Sequence, residues 1–317
     1  MSGAGPIRIG TRASALALAQ TGVVAEAVAK ASGLEVELVQ IASEGDHSTA
    51  SLASLGGTGV FASALRDALM ADSCDLLVHS LKDLPTDPVP GLVIGAIPKR
   101  ADARDVLCAR DGLSLEALPA RARVGTGSPR RVAQLRSHRP DLEILDIRGN
   151  VDTRLGRVSS GDLDAVVLAA AGLGRLGRLD SATGYFELND WPTAPGQGAL
   201  ALETREQHSA ELAAVLRTLD HSSTRLAVLA ERAALAGLEA GCSAPVGATA
   251  VVDGGMLFLS ATVYAEDGIR FLTASHALVI EGSAAERAIQ PSELGKRVAD
   301  DLLAQGAADL AAVGGAE

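Results

Sequence analysis

Aromatic residues are almost missing from this chain. Its 317 residues include one Trp, two Tyr and four Phe. So few rings leave no stacking platform for single-stranded nucleic acid, and the core must be built from Ala, Val, Leu and Ile. Lysine is nearly as scarce. Lys30, Lys82, Lys99 and Lys296 are the whole set, and the other basic residues are Arg. Three widely spaced cysteines, Cys74, Cys108 and Cys242, exclude a disulfide framework or a C-x-x-C pair and fit a reducing compartment. No apolar run is long enough to span a bilayer, and the opening MSGAGPIRIG lacks the apolar stretch of a signal peptide. There is no Walker A motif, no G-x-G-x-x-G before a helix, no H-E-x-x-H and no clustered metal-ligand spacing. The six His are dispersed. Neither a nucleotide nor a metal is expected, and the chain reads as a soluble, cytoplasmic protein.

What is present is ample apolar material, 47% of the chain, enough for two or three domains. The formal net charge of −11 argues against nucleic acid and anionic membranes as partners. That sum hides a local reversal. Residues 100–178 hold 14 Arg, no Lys and 10 acids, a net of +4. Arg is the side chain that grips carboxylates and phosphates bidentately, so this segment points to an anionic ligand.

Hydrophobic spacing predicts a strand at 7–10, a helix at 14–32 with Ser14 as N-cap, and a strand at 34–41. A Gly/Ser/Thr-rich loop follows over 43–59, then a helix at 60–71 and strands at 76–79 and 92–97. The alternation restarts at Val106. It gives strands at Val124, 142–147 and 165–169, and helices at 132–137, 151–159 and 172–179. These two α/β units share no repeat by residue identity. After APGQG (194–198) come a strand at 199–203 and helices at 209–219 and 222–240. Three strands with Asp-Gly turns (246–252, 257–264, 271–280) and a helix at 284–304 close the chain as an α+β domain.

Three basic motifs sit where a strand turns into a helix: Thr11-Arg12-Ala13-Ser14, Gly125-Thr126-Gly127-Ser128-Pro129-Arg130-Arg131, and Arg148-Gly149-Asn150-Val151-Asp152-Thr153-Arg154. Ligands of open α/β sheets bind outside the carboxyl ends of strands, and helix N-termini attract anions. Arg130 and Arg131 fall in a first helical turn, where the macrodipole disfavours a cation by about 0.3–1 kcal/mol. A bound polyanion reverses that preference. Solvated surface arginines explain any one motif well and all three together poorly. In His79-Ser80-Leu81-Lys82-Asp83-Leu84-Pro85, a Lys–Asp neighbour pair is most often a weak surface ion pair. At a strand end it competes with a catalytic carboxylate, and Lys82 as a Schiff-base lysine is a third option. Cys74 and Cys108 read as buried apolar residues. Cys242 stands in a Pro/Gly-framed loop, a place that more often carries function.

Taken together, VHSLKDLP, GTGSPRR, RGNVDTR, AAAGLGRLG, APGQGAL and LEAGCSAPVG, in this order and spacing, resemble the porphobilinogen deaminase (hydroxymethylbilane synthase) family over nearly the whole chain. The resemblance implies two periplasmic-binding-protein-like α/β lobes around a cleft and a smaller C-terminal α+β domain. The divisions implied are 1–98 with 199–217, 99–198, and 218–317. It implies a dipyrromethane cofactor thioether-linked to Cys242, and four porphobilinogen molecules joined head to tail with loss of ammonia. Asp83 matches the catalytic carboxylate, with Arg12, Arg148 and Arg154 beside it. Lys82, Asp83, Thr126, Ser128, Arg130, Arg131 and Arg148 match cofactor-binding positions. Arg12, Ser14, Ser80, Arg154, Arg175 and Gln197 match positions around the substrate or growing chain. The partners implied are porphobilinogen and the polypyrrole chain, with a monomeric state. The chain departs from the family pattern at Ser54-Leu55-Gly56-Gly57-Thr58-Gly59, a lid-like loop without its usual lysines, at Gly127 for Ser, and at Asp152 for Gly. A non-catalytic module that grips a dicarboxylate between two lobes is the alternative from another functional class.

Overall fold

The structure is a computed structural model that describes residues 5–42, 59–240, 244–311 and 313. The glycine-rich segment expected as a loop and lid, up to residue 58, and Cys242 lie outside the described residues. In chain order the main elements are β1 (Ile7–Thr11), α1 (Ala15–Ser32), β2 (Val36–Gln40), α2 (Gly59–Met70), β3 (Leu76–Ser80), β4 (Leu92–Ala96), β5 (Asp105–Ala109) and β6 (Arg123–Gly125). There follow α3 (Pro129–His138), β7 (Glu143–Leu145), α4 (Val151–Ser159), β8 (Ala165–Ala169), α5 (Ala170–Arg175), β9 (Gly184–Tyr185), β10 (Leu200–Arg205) and α6 (Ala210–Leu219). The last group is α7 (Ser222–Gly237), β11 (Val246–Asp253), β12 (Met256–Tyr264), β13 (Phe271–Val279) and α8 (Ala284–Ala304).

The chain divides into two compact units, one of residues 1–100 and 199–225 and the other of 101–198 and 226–317. The first contains a five-stranded sheet in the order β2-β1-β3-β10-β4. Strands β2, β1 and β3 run parallel, and β10 runs antiparallel to both its neighbours. One face packs Ile9, Leu76, Val78 and Leu202 with Val24 and Val28 of α1 and Val215 of α6. The other packs Leu77 and Cys74 with Leu65 and Leu69 of α2. The second unit holds a sheet of the same plan, β7-β6-β8-β5-β9, with β5 as its antiparallel member. It also holds the antiparallel sheet β11-β12-β13, whose core face is covered by α7 and α8. No described helix is long and apolar enough to cross a membrane.

Local chemistry sets the helix starts that matter for function. Ser14 caps α1, its Oγ accepting from the Ala17 N–H at 3.3 Å. Gly33, at φ +69°, closes that helix in the left-handed conformation glycine tolerates. Ser128 caps α3 with Pro129 in the first turn, and Asn150 caps α4 through a 2.8 Å bond from the Thr153 N–H. The helix expected at 172–179 is instead a short α5 that ends at Arg175, followed by a 3-10 turn at Leu179–Ser181. Three glycines (172, 174 and 177) in eight residues make a continuous helix costly there.

Candidate functional site

In the first unit the predicted residues gather at the carboxyl ends of β1 and β3. Thr11, fully buried, receives a hydrogen bond from the Thr21 hydroxyl of α1 at 2.7 Å. The chain then turns through half-buried Arg12 to Ser14. Ser80 ends β3 and accepts from the Gln20 amide at 2.8 Å. Leu81–Asp83 forms a single 3-10 turn. Buried Leu81 anchors it, while Asp83 is exposed and Lys82 half-buried. Arg12, Ser14, Gln20, His79, Ser80 and Asp83 help line a cavity of about 100 Å³.

Beneath that cavity lies an ion network the sequence reading missed. Glu203 of β10 is 3% exposed. It accepts from Arg66 of α2 through both oxygens, at 2.8–3.1 Å, and lies 3.1 Å from His79 Nε2. Burial pushes the Glu203 carboxyl up, but the hydrogen bonds from His79 and Arg66 outweigh it and leave the group below its ordinary value. The signal in the sequence was an acid directly after the apolar run Leu-Ala-Leu of the strand LALETR.

In the second unit the predicted residues follow the ends of β6 and β7. Thr126 is fully buried and its hydroxyl accepts from the Ser128 N–H at 3.3 Å. Arg130 and Arg131 are not surface cations: they are 3% and 6% exposed. Both reach Asp105, the first residue of β5, at 2.9 and 2.5 Å. Asp105 is completely buried and also accepts from Trp191 Nε1 at 2.9 Å and the Gln197 amide at 2.8 Å. Burial alone would raise its pKa, but the charges of Arg131 and Arg130 prevail and hold the carboxylate ionised, far below its usual range. The first anion these arginines meet is therefore in the chain itself, and Asp105 offsets the macrodipole cost before any polyanion binds.

Arg131 also donates to the Val167 carbonyl at 3.0 Å, and Arg130 to the Gln134 side-chain oxygen and the Pro192 carbonyl. The Nε atoms of Arg130, Arg131 and Arg148 are buried without a hydrogen-bond partner. Arg154 donates to the Gly149 carbonyl at 2.8 Å. Burial and then the like charges of Arg131 and Arg148 push its pKa down to about 10, with Asp146 a partial offset. Arg131, Arg148 and Arg154 thus form one electrostatic cluster with surplus positive charge. Arg175 stands apart from it, donating to the Gly198 carbonyl at 2.8 Å, with burial alone lowering its pKa. Orphaned buried donors and surplus charge suit a carboxylate-bearing group such as dipyrromethane. Among the described residues no group of three or more His, Cys, Asp or Glu is placed to hold a metal ion. Cys74 and Cys108 are buried among apolar residues, as their surroundings in sequence suggested.

Comparison with known proteins covers nearly the whole chain. Residues 7–213 match the family model described as porphobilinogen deaminase, dipyromethane cofactor binding domain, and residues 225–304 match porphobilinogen deaminase, C-terminal domain. A curated porphobilinogen deaminase of Leifsonia xyli is 63% identical over 98% of this chain and 96% of its own length. One of Thermobifida fusca is 52% identical over 97% and 96%. Among solved structures, immunogenic lipoprotein A of Vibrio vulnificus superposes at TM-score 0.42, with 13% identity over 66% of this chain and 93% of its own.

Proposed function

The chain belongs to the porphobilinogen deaminase family, and from that premise we propose how its residues divide the work. The reaction deaminates four porphobilinogen molecules, joins them head to tail on a covalently bound dipyrromethane primer and releases hydroxymethylbilane. The observation that carries this reading is the match of both family models across 7–213 and 225–304. A non-catalytic dicarboxylate-binding module is not favoured.

Loss of ammonia from porphobilinogen leaves a cationic methylene-pyrrolenine. Asp83, exposed at the mouth of the cavity it shares with Arg12, Ser14 and Ser80, stabilises that developing cation and orients the pyrrole N–H. Removal of a single stabiliser of this kind costs on the order of 10²–10³ in kcat. Arg12, with Ser14 and Ser80, holds the incoming acetate and propionate. Cys242 would hold dipyrromethane, which when bound would supply the nucleophilic pyrrole carbon. Arg131, Arg148 and Arg154 hold its carboxylates and those of the growing chain, with Lys82, Thr126 and Ser128 as further contacts. Arginine suits this task because its charge survives burial and crowding. Arg130 gives its terminal nitrogens to Asp105, Gln134 and Pro192, which supports a bracing part for it beside the contact the resemblance implies. Arg175 and Gln197 border the path of the growing chain. We place the protein in the cytoplasm as a monomer, without nucleic-acid or membrane partners. Its domains divide as 1–98 with 199–217, 99–198, and 218–317.

Intact-mass spectrometry of the purified protein tests the assignment. An adduct of two pyrrole units, positive to Ehrlich's reagent and absent from Cys242→Ser, is the expected result. An unmodified chain that still makes hydroxymethylbilane overturns the cofactor attachment. Asp83→Ala is expected to keep the adduct and lose turnover by at least ~10²-fold; near-normal turnover removes Asp83 from its assigned role.

A further inference from the structure

Asp105 belongs to none of the basic motifs, yet four different side chains converge on its carboxylate. It accepts from four side chains, Arg130, Arg131, Trp191 and Gln197, with no solvent exposure. A buried ion pair is weak support for stability, since apolar packing serves that end as well or better. Here one acid faces two arginines, so a network built for stability alone would be short of an anion. The surplus adjoins Arg154, on which Arg131 and Arg148 both press electrostatically.

Gln197 extends the arrangement. Its amide bonds Asp105 and the Ala103 carbonyl at 2.8 and 2.7 Å. The preceding residue, Gly196, donates its N–H at 2.7 Å to Glu231, a fully buried carboxylate of α7 that also takes the Ala250 N–H of β11 at 2.8 Å. Two buried carboxylates therefore hold the 196–197 dipeptide, one by the Gly196 N–H and the other by the Gln197 side chain. The elements that Glu231 joins, α7 and β11, flank in sequence the segment carrying Cys242.

We infer that Asp105 is a positioning residue of the anion site. It aims the Arg131 guanidinium toward the cluster of Arg148 and Arg154, with Arg130 as the counterweight on its other oxygen. The link through Gln197 and Glu231 keeps that aim in register with the elements on either side of the cofactor-bearing segment. Asp105 touches no reacting atom. Its effect reaches the ligand through the direction and spacing of the guanidiniums it holds. This inference rests on the family reading above.

The test compares Asp105→Asn, which removes the charge, with Asp105→Glu, which keeps the charge and displaces it by one methylene. Leu302→Ala, a cavity in the C-terminal core, is the reference for stability loss alone. Three quantities are read for each holoenzyme: the fraction of chains carrying the two-pyrrole adduct by intact mass, Tm, and KM against kcat on the loaded fraction. In both Asp105 variants the adduct fraction should fall at least tenfold, or KM for porphobilinogen rise at least tenfold with a smaller change in kcat. Leu302→Ala should lower Tm and leave adduct and KM unchanged. Full adduct with normal KM in either folded Asp105 variant overturns the inference, as does equal adduct loss in Leu302→Ala at matched Tm. If Asp105→Asn fails to fold, Asp105→Glu decides by the same criteria. Absence of the adduct from the wild-type chain is a separate failure, of the cofactor assignment itself.

Discussion

Glu203→Gln probes the network under the Asp83 cavity. The substitution keeps shape and one acceptor oxygen but removes the charge that pairs with Arg66 and His79. Glu203 is 3% exposed, and the Arg66 side chain is 15% exposed, so the orphaned guanidinium stays largely out of water. Breaking a buried pair by removing one partner costs about 3–5 kcal/mol. The retained oxygen and the partial exposure of Arg66 place the cost at the low end, about 3 kcal/mol. At roughly 3 °C per kcal/mol for a body of this size, the first thermal transition falls by about 9 °C at pH 7. The pH dependence follows from the lowered pKa of Glu203. Between its folded value and the ordinary ~4.3, the unfolded chain binds the proton and the native one does not. The contribution is complete above the ordinary value and is lost as the pH falls through the folded one. Protonated Glu203 resembles Gln, so the gap between the two proteins should close on acidification. Differential scanning calorimetry from pH 7 to pH 3 reads both effects. A gap below about 2 °C at pH 7, or one that persists undiminished at pH 3, refutes the reasoning.

Arg154→Gln in the Cys242→Ser background should melt no lower than its parent, because a base pushed down to about 10 by burial and by Arg131 and Arg148 costs the fold stability while charged; a clear fall in Tm would contradict the surplus-charge reading. Gly125→Ala and Gly156→Ala should shift stability in opposite directions in urea titrations. A Cβ at residue 125 meets Leu163 Cδ1 at 2.6 Å and Ile147 Cδ1 at 2.9 Å, an overpacking cost of about 1–3 kcal/mol. At residue 156, inside α4, nothing lies within 4 Å, so reduced unfolded-state entropy gains about 0.4–1 kcal/mol. Equal signs at the two sites would refute the packing argument.

Element positions were largely readable because apolar spacing and caps act locally. Ser14 announces its helix, and the ranges 151–159, 165–169 and 284–304 follow directly from pattern. The common plan of the two five-stranded sheets was not readable, since it resides in pairing order and not in residue identity. Only with the strands laid out does Thr11-Arg12-Ala13-Ser14 correspond to Thr126-Gly127-Ser128. In each, a buried threonine ends or follows the strand and a serine caps the next helix. The arginines of the candidate site announced themselves by their number. Asp105 and Glu203 did not, because each is a lone acid whose partners lie 25 or more residues away. Charge in a sequence is legible as composition, whereas the neutralising partner is a fact of tertiary structure.

The strand orders also bear on how the chain comes off the ribosome. All five strands of the second sheet lie between residues 105 and 185, but the first sheet needs β10, residues 200–205, between β3 and β4. The later-encoded sheet therefore has its full complement of strands before the earlier one can close. At a synthesis rate of about 5–20 residues per second, the edges of β3 and β4 wait roughly 5–20 s for their partner. A truncated product ending near residue 100 would present those edges permanently, an open invitation to intermolecular pairing.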